Sequence, residues 1–327
     1  MAQSLAERPE PCWIRSRWIA QLPLPLFAVT MGHAGLGLAW RNAHQAFGLP
    51  AVVAEVLIAF AAAAFALVAL GYVVKLAACP AGVVADFRHP VMMNFLPAIS
   101  ISLLLLAAGA LPHDRQLAES LWIAGAALHL ALAVTIIGRW IRQNTEIQHA
   151  SPAWFIPVVG NIVVPIAGVQ LGYETVSWFF FAIGLTFWLP LFTIVLYRLI
   201  FHDPLPPQVA PLLFILIAPP AAGFIAYMQL NGGTLDVLGY VLAASALFIA
   251  LVLAGIAGLF LRLPFALSWW AFTFPAAALS CAMTQMHALL PGAATHAVAL
   301  AALAFATAII ALVTLRTLAA LVAGRLF

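Results

Sequence analysis

Apolar residues fill this chain in stretches of helical length, separated by short runs of charged and turn-forming residues. The separators include Asp86-Phe87-Arg88-His89-Pro90, Pro112-His113-Asp114-Arg115, His202-Asp203-Pro204 and Asn231-Gly232-Gly233, the punctuation of loops. Reading between them predicts ten helices, at approximately 22–41, 50–75, 90–111, 117–140, 152–172, 175–200, 208–229, 236–261, 264–288 and 294–322. A second rhythm lies on the first. Alternate stretches are interrupted at Gly32, Gly35 and Gly37, then Pro97, then Pro157 and Pro165, then Pro219 and Pro220, then Pro275. The stretches between are expected to run through without a proline.

The interruptions recur at about sixty residues, so the helices pair into five hairpins, 22–75, 90–140, 152–200, 208–261 and 264–322. Each hairpin is an interrupted helix followed by a continuous one. A proline inside a helix offers no N–H to the carbonyl four residues back and kinks the chain. The carbonyls of Met93, Asn161, Ile215 and Ala271 are therefore expected to lack partners. Hydrocarbon does not tolerate unpaired backbone, so the interrupted helices belong inside and the continuous ones against lipid. The expected fold class is an all-α polytopic membrane protein, with ten transmembrane helices in five hairpins and pseudo-fivefold symmetry around a central pore.

Composition agrees with that solvent: 65 % of the 327 residues are hydrophobic and 7 % are charged, with a mean hydropathy of +1.10. A soluble domain carries roughly a quarter charged residues. The chain therefore reads as one transmembrane domain over 1–327, with residues 1–21 as a cytoplasmic segment. Arg8, Arg15 and Arg17 precede a full-length span, not a short signal core, so the first helix is expected to be retained. Of 13 basic residues, only Arg41 and Arg115 fall on the side opposite the termini, which predicts both termini in the cytoplasm. The net charge of +3 thus reports topology and implies no nucleic acid.

Candidate chemistry is sparse. No acidic or basic residue lies at mid-span, and intramembrane charge is what marks ion relays. His33 and His129 are the possible titrating groups. Cys12, Cys79 and Cys281 are isolated and imply neither a metal site nor a disulfide framework. No metal, cofactor or catalytic constellation is expected, so the chain does not read as an enzyme. Phe27, Phe95, Phe155, Phe214 and Phe274 lie on the interrupted helices, several beside the proline, where an aromatic ring can block a narrow axis. Free N–H groups of helices restarting at a kink favour anions, whereas orphaned carbonyls favour cations. Backbone alone leaves the sign of the ion open.

Five segments carry a resemblance: PLFAVTMGHAGLGLAW (25–40), HPVMMNFLPAISISLLLL (89–106), WFIPVVGNIVVPIAG (154–168), PLLFILIAPPAAG (211–223) and FALSWWAFTFP (265–275). In them the chain resembles the tellurite-resistance/dicarboxylate transporter family, which includes bacterial TehA, the yeast malate permease and the slow-type anion channels of plants. The resemblance implies a homotrimer with one pore per subunit, conducting small inorganic or organic anions across the inner membrane. It also implies an aromatic plug at Phe274, before Pro275. One departure lies on the first helix, where Thr30 stands in place of a family proline and Ala28 where glycine is common. Thr30 is accordingly a pore-lining candidate, beside Phe27, Phe95, Phe155 and Phe214. The expected function is an anion channel or facilitator gated by Phe274. Its alternative is a proton-coupled transporter of C4-dicarboxylates or tellurite, working through His33 or His129.

Overall fold

The computed structural model describes residues 22–144 and 146–324, so the expected N-terminal segment 1–21 lies outside the described residues. Those described form helices and loops, with no strand among them. The α-helices are α1 (Phe27–Phe47), α2 (Ala51–Ala78), α3 (Pro80–Arg88), α4 (Ala98–Ala110), α5 (Arg115–Arg142), α6 (Phe155–Val159), α7 (Val164–Gly168), α8 (Glu174–Phe201), α9 (Ala218–Leu230), α10 (Val237–Gly255), α11 (Ala257–Leu261), α12 (Thr273–Leu289) and α13 (Ala293–Val322). By length and composition, seven segments are long and apolar enough to cross a membrane.

Six times along the chain a 3-10 stretch leads into an α-helix. The stretches are Leu24–Leu26 before α1, Met92–Phe95 before α4, Pro152–Trp154 before α6, Gly160–Val163 before α7, Pro207–Ile217 before α9 and Leu267–Phe272 before α12. The prolines explain the changeover. Pro97 is the N-cap of α4, Pro165 and Pro219 are second residues of α7 and α9, and Pro275 is the third residue of α12. In the first turn of an α-helix a proline's missing N–H had no partner to lose, and its fixed φ suits the helix.

Burial divides the elements as the backbone chemistry requires. In the broken segments 92–110 and 207–230, 72 % and 89 % of the apolar window is buried, against 17 % in α2 and 28 % in α10. The unbroken helices turn Leu67, Val134, Leu189, Phe248 and Leu315 outward, which in water would be costly and in lipid is free. Short connections fold neighbours back on one another. Gly48, at φ 70, ends α1 in the left-handed conformation and returns its N–H to His44 O.

Four expectations need correction. Gly32, Gly35 and Gly37 do not break α1, which is α-helical from Phe27 to Phe47. They serve close contact instead: a Cβ on Gly32 would lie 2.5 Å from Thr273 Oγ1, and one on Gly37 2.6 Å from Ile58 Cγ1. Second, α8 contains Pro190 yet continues to Phe201, so the unbroken helices are not all free of proline. Third, three of the four carbonyls behind the prolines are not orphaned. Met93 O accepts from Leu96 N, Asn161 O from Val164 N and Ile215 O from Ala218 N, the shorter reach of 3-10 pairing replacing the lost bond. The buried amides of Asn94 and Asn161 cover Pro90 O and Val158 O as well, at 2.9 and 2.6 Å. Fourth, Cys79 is disulfide-bonded, whereas Cys281 is free and buried.

Candidate functional site

Two cavities lie among the broken segments. The narrower, about 260 Å³, sits on the side of the 3-10 stretches and is walled by Ala28, Met31, Phe95, Phe155, Leu212 and Pro219, among others. Its few polar side chains are already committed. Ser268 Oγ donates to Gln208 O at 2.5 Å, and Trp270 Nε1 donates to Thr317 Oγ1 at 3.0 Å. No charged side chain borders it among the described residues.

The wider cavity, about 460 Å³, lies toward the C-terminal ends of α1, α4, α9 and α12. Its wall is mixed: Leu38, Leu105 and Ile166 alternate with Arg41, Asn42, Gln45, Gln170, Gln229, Thr284 and Gln285. Phe274 and Ala222 border both cavities. Phe274 is half-buried, and Gly35 makes room beside it, since a Cβ there would lie 3.4 Å from the ring. The aromatic side chain therefore stands between an apolar chamber and a polar one.

Of the other aromatic candidates, Phe95 and Phe155 border the narrow cavity, and Phe27 and Phe214 border neither. Phe27 packs toward α2, with ring centroids 5.9 Å from Phe65 and 6.0 Å from Tyr72. Phe214 joins a separate aromatic cluster, 4.7 Å from Phe272 and 5.2 Å from Phe260. Thr30 is fully buried and borders neither cavity, although Ala28 and Met31 beside it do. Among the proline positions, Pro219 and Pro275 reach the narrow cavity, whereas Pro97, Pro157, Pro165 and Pro220 act on the backbone behind it.

Neither histidine borders either cavity. His33 Nδ1 pairs with Val29 O at 2.9 Å and its Nε2 with Thr314 Oγ1 at 3.1 Å, with the ring beside Phe60 and Trp270. His129, fully buried, pairs through Nδ1 with Ser100 Oγ at 2.8 Å and packs against Gly160. Both are held as interhelical contacts.

The polar wall of the wide cavity escaped the sequence reading, which sought charge at mid-span. A signal was present, because Gln170, Gln229 and Gln285 recur at nearly the period of the prolines. Arg41 and Arg115, the two basic residues that broke the charge asymmetry, also find a role. Arg41 Nη1 donates to Gly109 O at 3.1 Å and Ala108 O at 3.4 Å. Arg115 donates to Gln170 O and Leu171 O at 3.1 and 2.8 Å. Cations thus cover the carbonyls at helix ends, where the dipole is negative. Arg41 is also held by Glu55, Nη2 to Oε1 at 2.9 Å, and Glu55 takes His113 Nε2 at 2.7 Å. At the opposite end Lys75 is buried, bonding Asp86 at 2.7 Å and Leu22 O at 2.9 Å, so it is spent on structure.

Residues 21–318 match the model of the voltage-dependent anion channel family. The chain is 29 % identical over 287 residues to the S-type anion channel SLAH2 of Arabidopsis thaliana, covering 85 % of this chain and 55 % of that one. To the guard cell S-type anion channel SLAC1 of the same plant it is 24 % identical over 312 residues, covering 92 % and 56 %. To the tellurite resistance protein TehA homolog of Haemophilus influenzae it is 27 % identical over 308 residues, covering 94 % and 93 %. The chain spans about half the length of the plant relatives it matches.

Proposed function

Since the chain belongs to the voltage-dependent anion channel family, we propose that it is an anion channel or facilitator of the inner membrane. Ten helices, in five hairpins related by pseudo-fivefold symmetry, enclose one path per subunit, with the broken helices around it. Both termini are cytoplasmic and three copies assemble, an arrangement drawn from loop charge and from the family resemblance. The observation that carries the reading is that the two cavities meet at Phe274. A ring at that junction is a steric gate. Arg41 is the one charged side chain on either cavity among the described residues, the narrow chamber admits ions by geometry and dipoles, and the α-helices restarting beside it present positive ends. The pairing of Met93 O, Asn161 O and Ile215 O removes the carbonyls that would have favoured cations.

The proton-coupled carrier of C4-dicarboxylates or tellurite is the weaker reading, because neither His33 nor His129 borders a cavity. Chloride flux from liposomes carrying wild type and Phe274→Ala tests the gate. The variant passes chloride much faster, without a pH gradient. Equal rates in both proteins would remove Phe274 as the gate.

A further inference from the structure

We infer that the end of α8 carries a binding site for a phosphate oxyanion, brought by an anionic phospholipid of the cytoplasmic leaflet, with Arg198 as its cation. The proposed orientation supplies only the leaflet, and the site stands apart from whatever the path conducts.

Arg198 is 5 % exposed, yet the ion pairs among the described residues are Arg41–Glu55, Lys75–Asp86 and His113–Glu55. No carboxylate among them balances it. Its Nη1 donates to Asp203 O at 2.6 Å, which ties the side chain to the loop after α8, and the exposed Asp203 contributes nothing further. Nε is enclosed without a partner. Nη2, on the same edge of the planar fork, makes no bond among the described residues and is not enclosed. That edge is one a phosphate or carboxylate meets with two oxygens.

Buried charge is ordinarily paired, because taking it out of water is costly. Lys75, equally buried, shows the ordinary solution, with Asp86 and Leu22 O on its ammonium. At Arg198 the negative end of α8 and one carbonyl offset part of the charge. Nη2 is the atom at which an anion supplies the rest, and the unpartnered Nε behind it shows that the protein provides nothing on that edge.

Depth and surroundings identify the anion. At 1.5 Å per residue Arg198 stands about 36 Å from Glu174 along α8, and a bilayer core is about 30 Å thick. The guanidinium therefore lies at headgroup depth. Beside it α8 turns Ile194, Tyr197, Ile200 and Phe201 outward. The Tyr197 ring packs 5.2 Å from Phe201 and 5.5 Å from His202, and an exposed tyrosine at this level is a marker of the membrane–water boundary. A phospholipid brings its phosphate to Nη2 and lays its acyl chains on that apolar face. Inorganic phosphate gains only the first contact. The cytoplasmic leaflet is also the anionic one, and basic pockets between helices on that side take lipid headgroups.

The test is the thermal midpoint of the full-length protein in detergent with phosphatidylglycerol, with phosphatidylcholine of the same acyl chains, or with inorganic phosphate. Wild type should gain about 5 °C more from phosphatidylglycerol than from phosphatidylcholine, and little from inorganic phosphate. Arg198→Gln should lose that difference, whereas Arg142→Gln, which removes an exposed arginine at the end of α5, should keep it. Equal gains from the two lipids in wild type, or as large a gain from inorganic phosphate, overturn the lipid site without any variant having to fold. A phosphatidylglycerol preference that survives in Arg198→Gln overturns Arg198 as its cation. Each of these results leaves the anion-channel reading untouched, since no flux is measured.

Discussion

Gly160→Ala should destabilise the protein, and removing the His129 ring should relieve that effect. Gly160 opens the 3-10 turn between α6 and α7, where a Cβ would lie 2.4 Å from His129 Cε1, 2.8 Å from its Nε2 and 2.7 Å from Ile101 Cδ1. The imidazole has little room to retreat, since it is fully buried and pinned by Ser100. Overpacking of this kind costs about 1–3 kcal/mol. Restricting the unfolded chain offsets about 0.4–1 kcal/mol of that, leaving a net loss of roughly 1–2 kcal/mol. At about 2–4 °C per kcal/mol for chains of this order, the thermal midpoint falls by about 2–8 °C. In a His129→Ala background the added methyl enters vacated space, so Gly160→Ala becomes neutral or stabilising, a coupling of about 1–3 kcal/mol. Heating in detergent followed by gel filtration measures the midpoint of each variant. Additive losses would refute the contact. The same His129→Ala protein should keep chloride flux that ignores a pH gradient, because the ring packs and does not relay protons.

Pro97→Ala and Pro275→Ala should each shift stability by less than about 1 kcal/mol, since both residues stand where a helix begins and no interior bond is regained; thermal midpoints check this. Asp236 caps α10 by accepting from Gly239 N at 3.0 Å, and that bond, with the Tyr227 hydroxyl, holds its carboxyl below the usual range. Its folded pKa is depressed, so its contribution is present above the unfolded value and is lost as pH falls through the lowered folded one. The midpoint of the wild type should therefore drop below about pH 4, while Asp236→Asn, still an acceptor, loses that part of the pH dependence.

The sequence reading located the inner helices because proline constrains backbone whatever surrounds it. It misplaced the breaks within α1 because a glycine in a pattern serves equally as a kink or as a contact, and only a neighbour such as Thr273 distinguishes the two. It set the prolines at mid-helix because a 3-10 stretch such as Pro207–Ile217 has no apolar period of its own to reveal it. It offered five phenylalanines where Phe95, Phe155 and Phe274 face the cavities. Rotation of a helix that is apolar on every side is fixed by packing, and Phe214 was drawn to Phe260 and Phe272. The glutamines went unread because an uncharged side chain does not stand out where charge is sought.

The most direct measurement of the central proposal is the reversal potential of reconstituted Phe274→Ala across a tenfold potassium chloride gradient at equal pH. An anion path predicts a value near the chloride equilibrium potential, about 59 mV in magnitude, with wild type nearly silent. A value at the potassium potential, or currents of equal size in the two proteins, would contradict an anion path gated by Phe274.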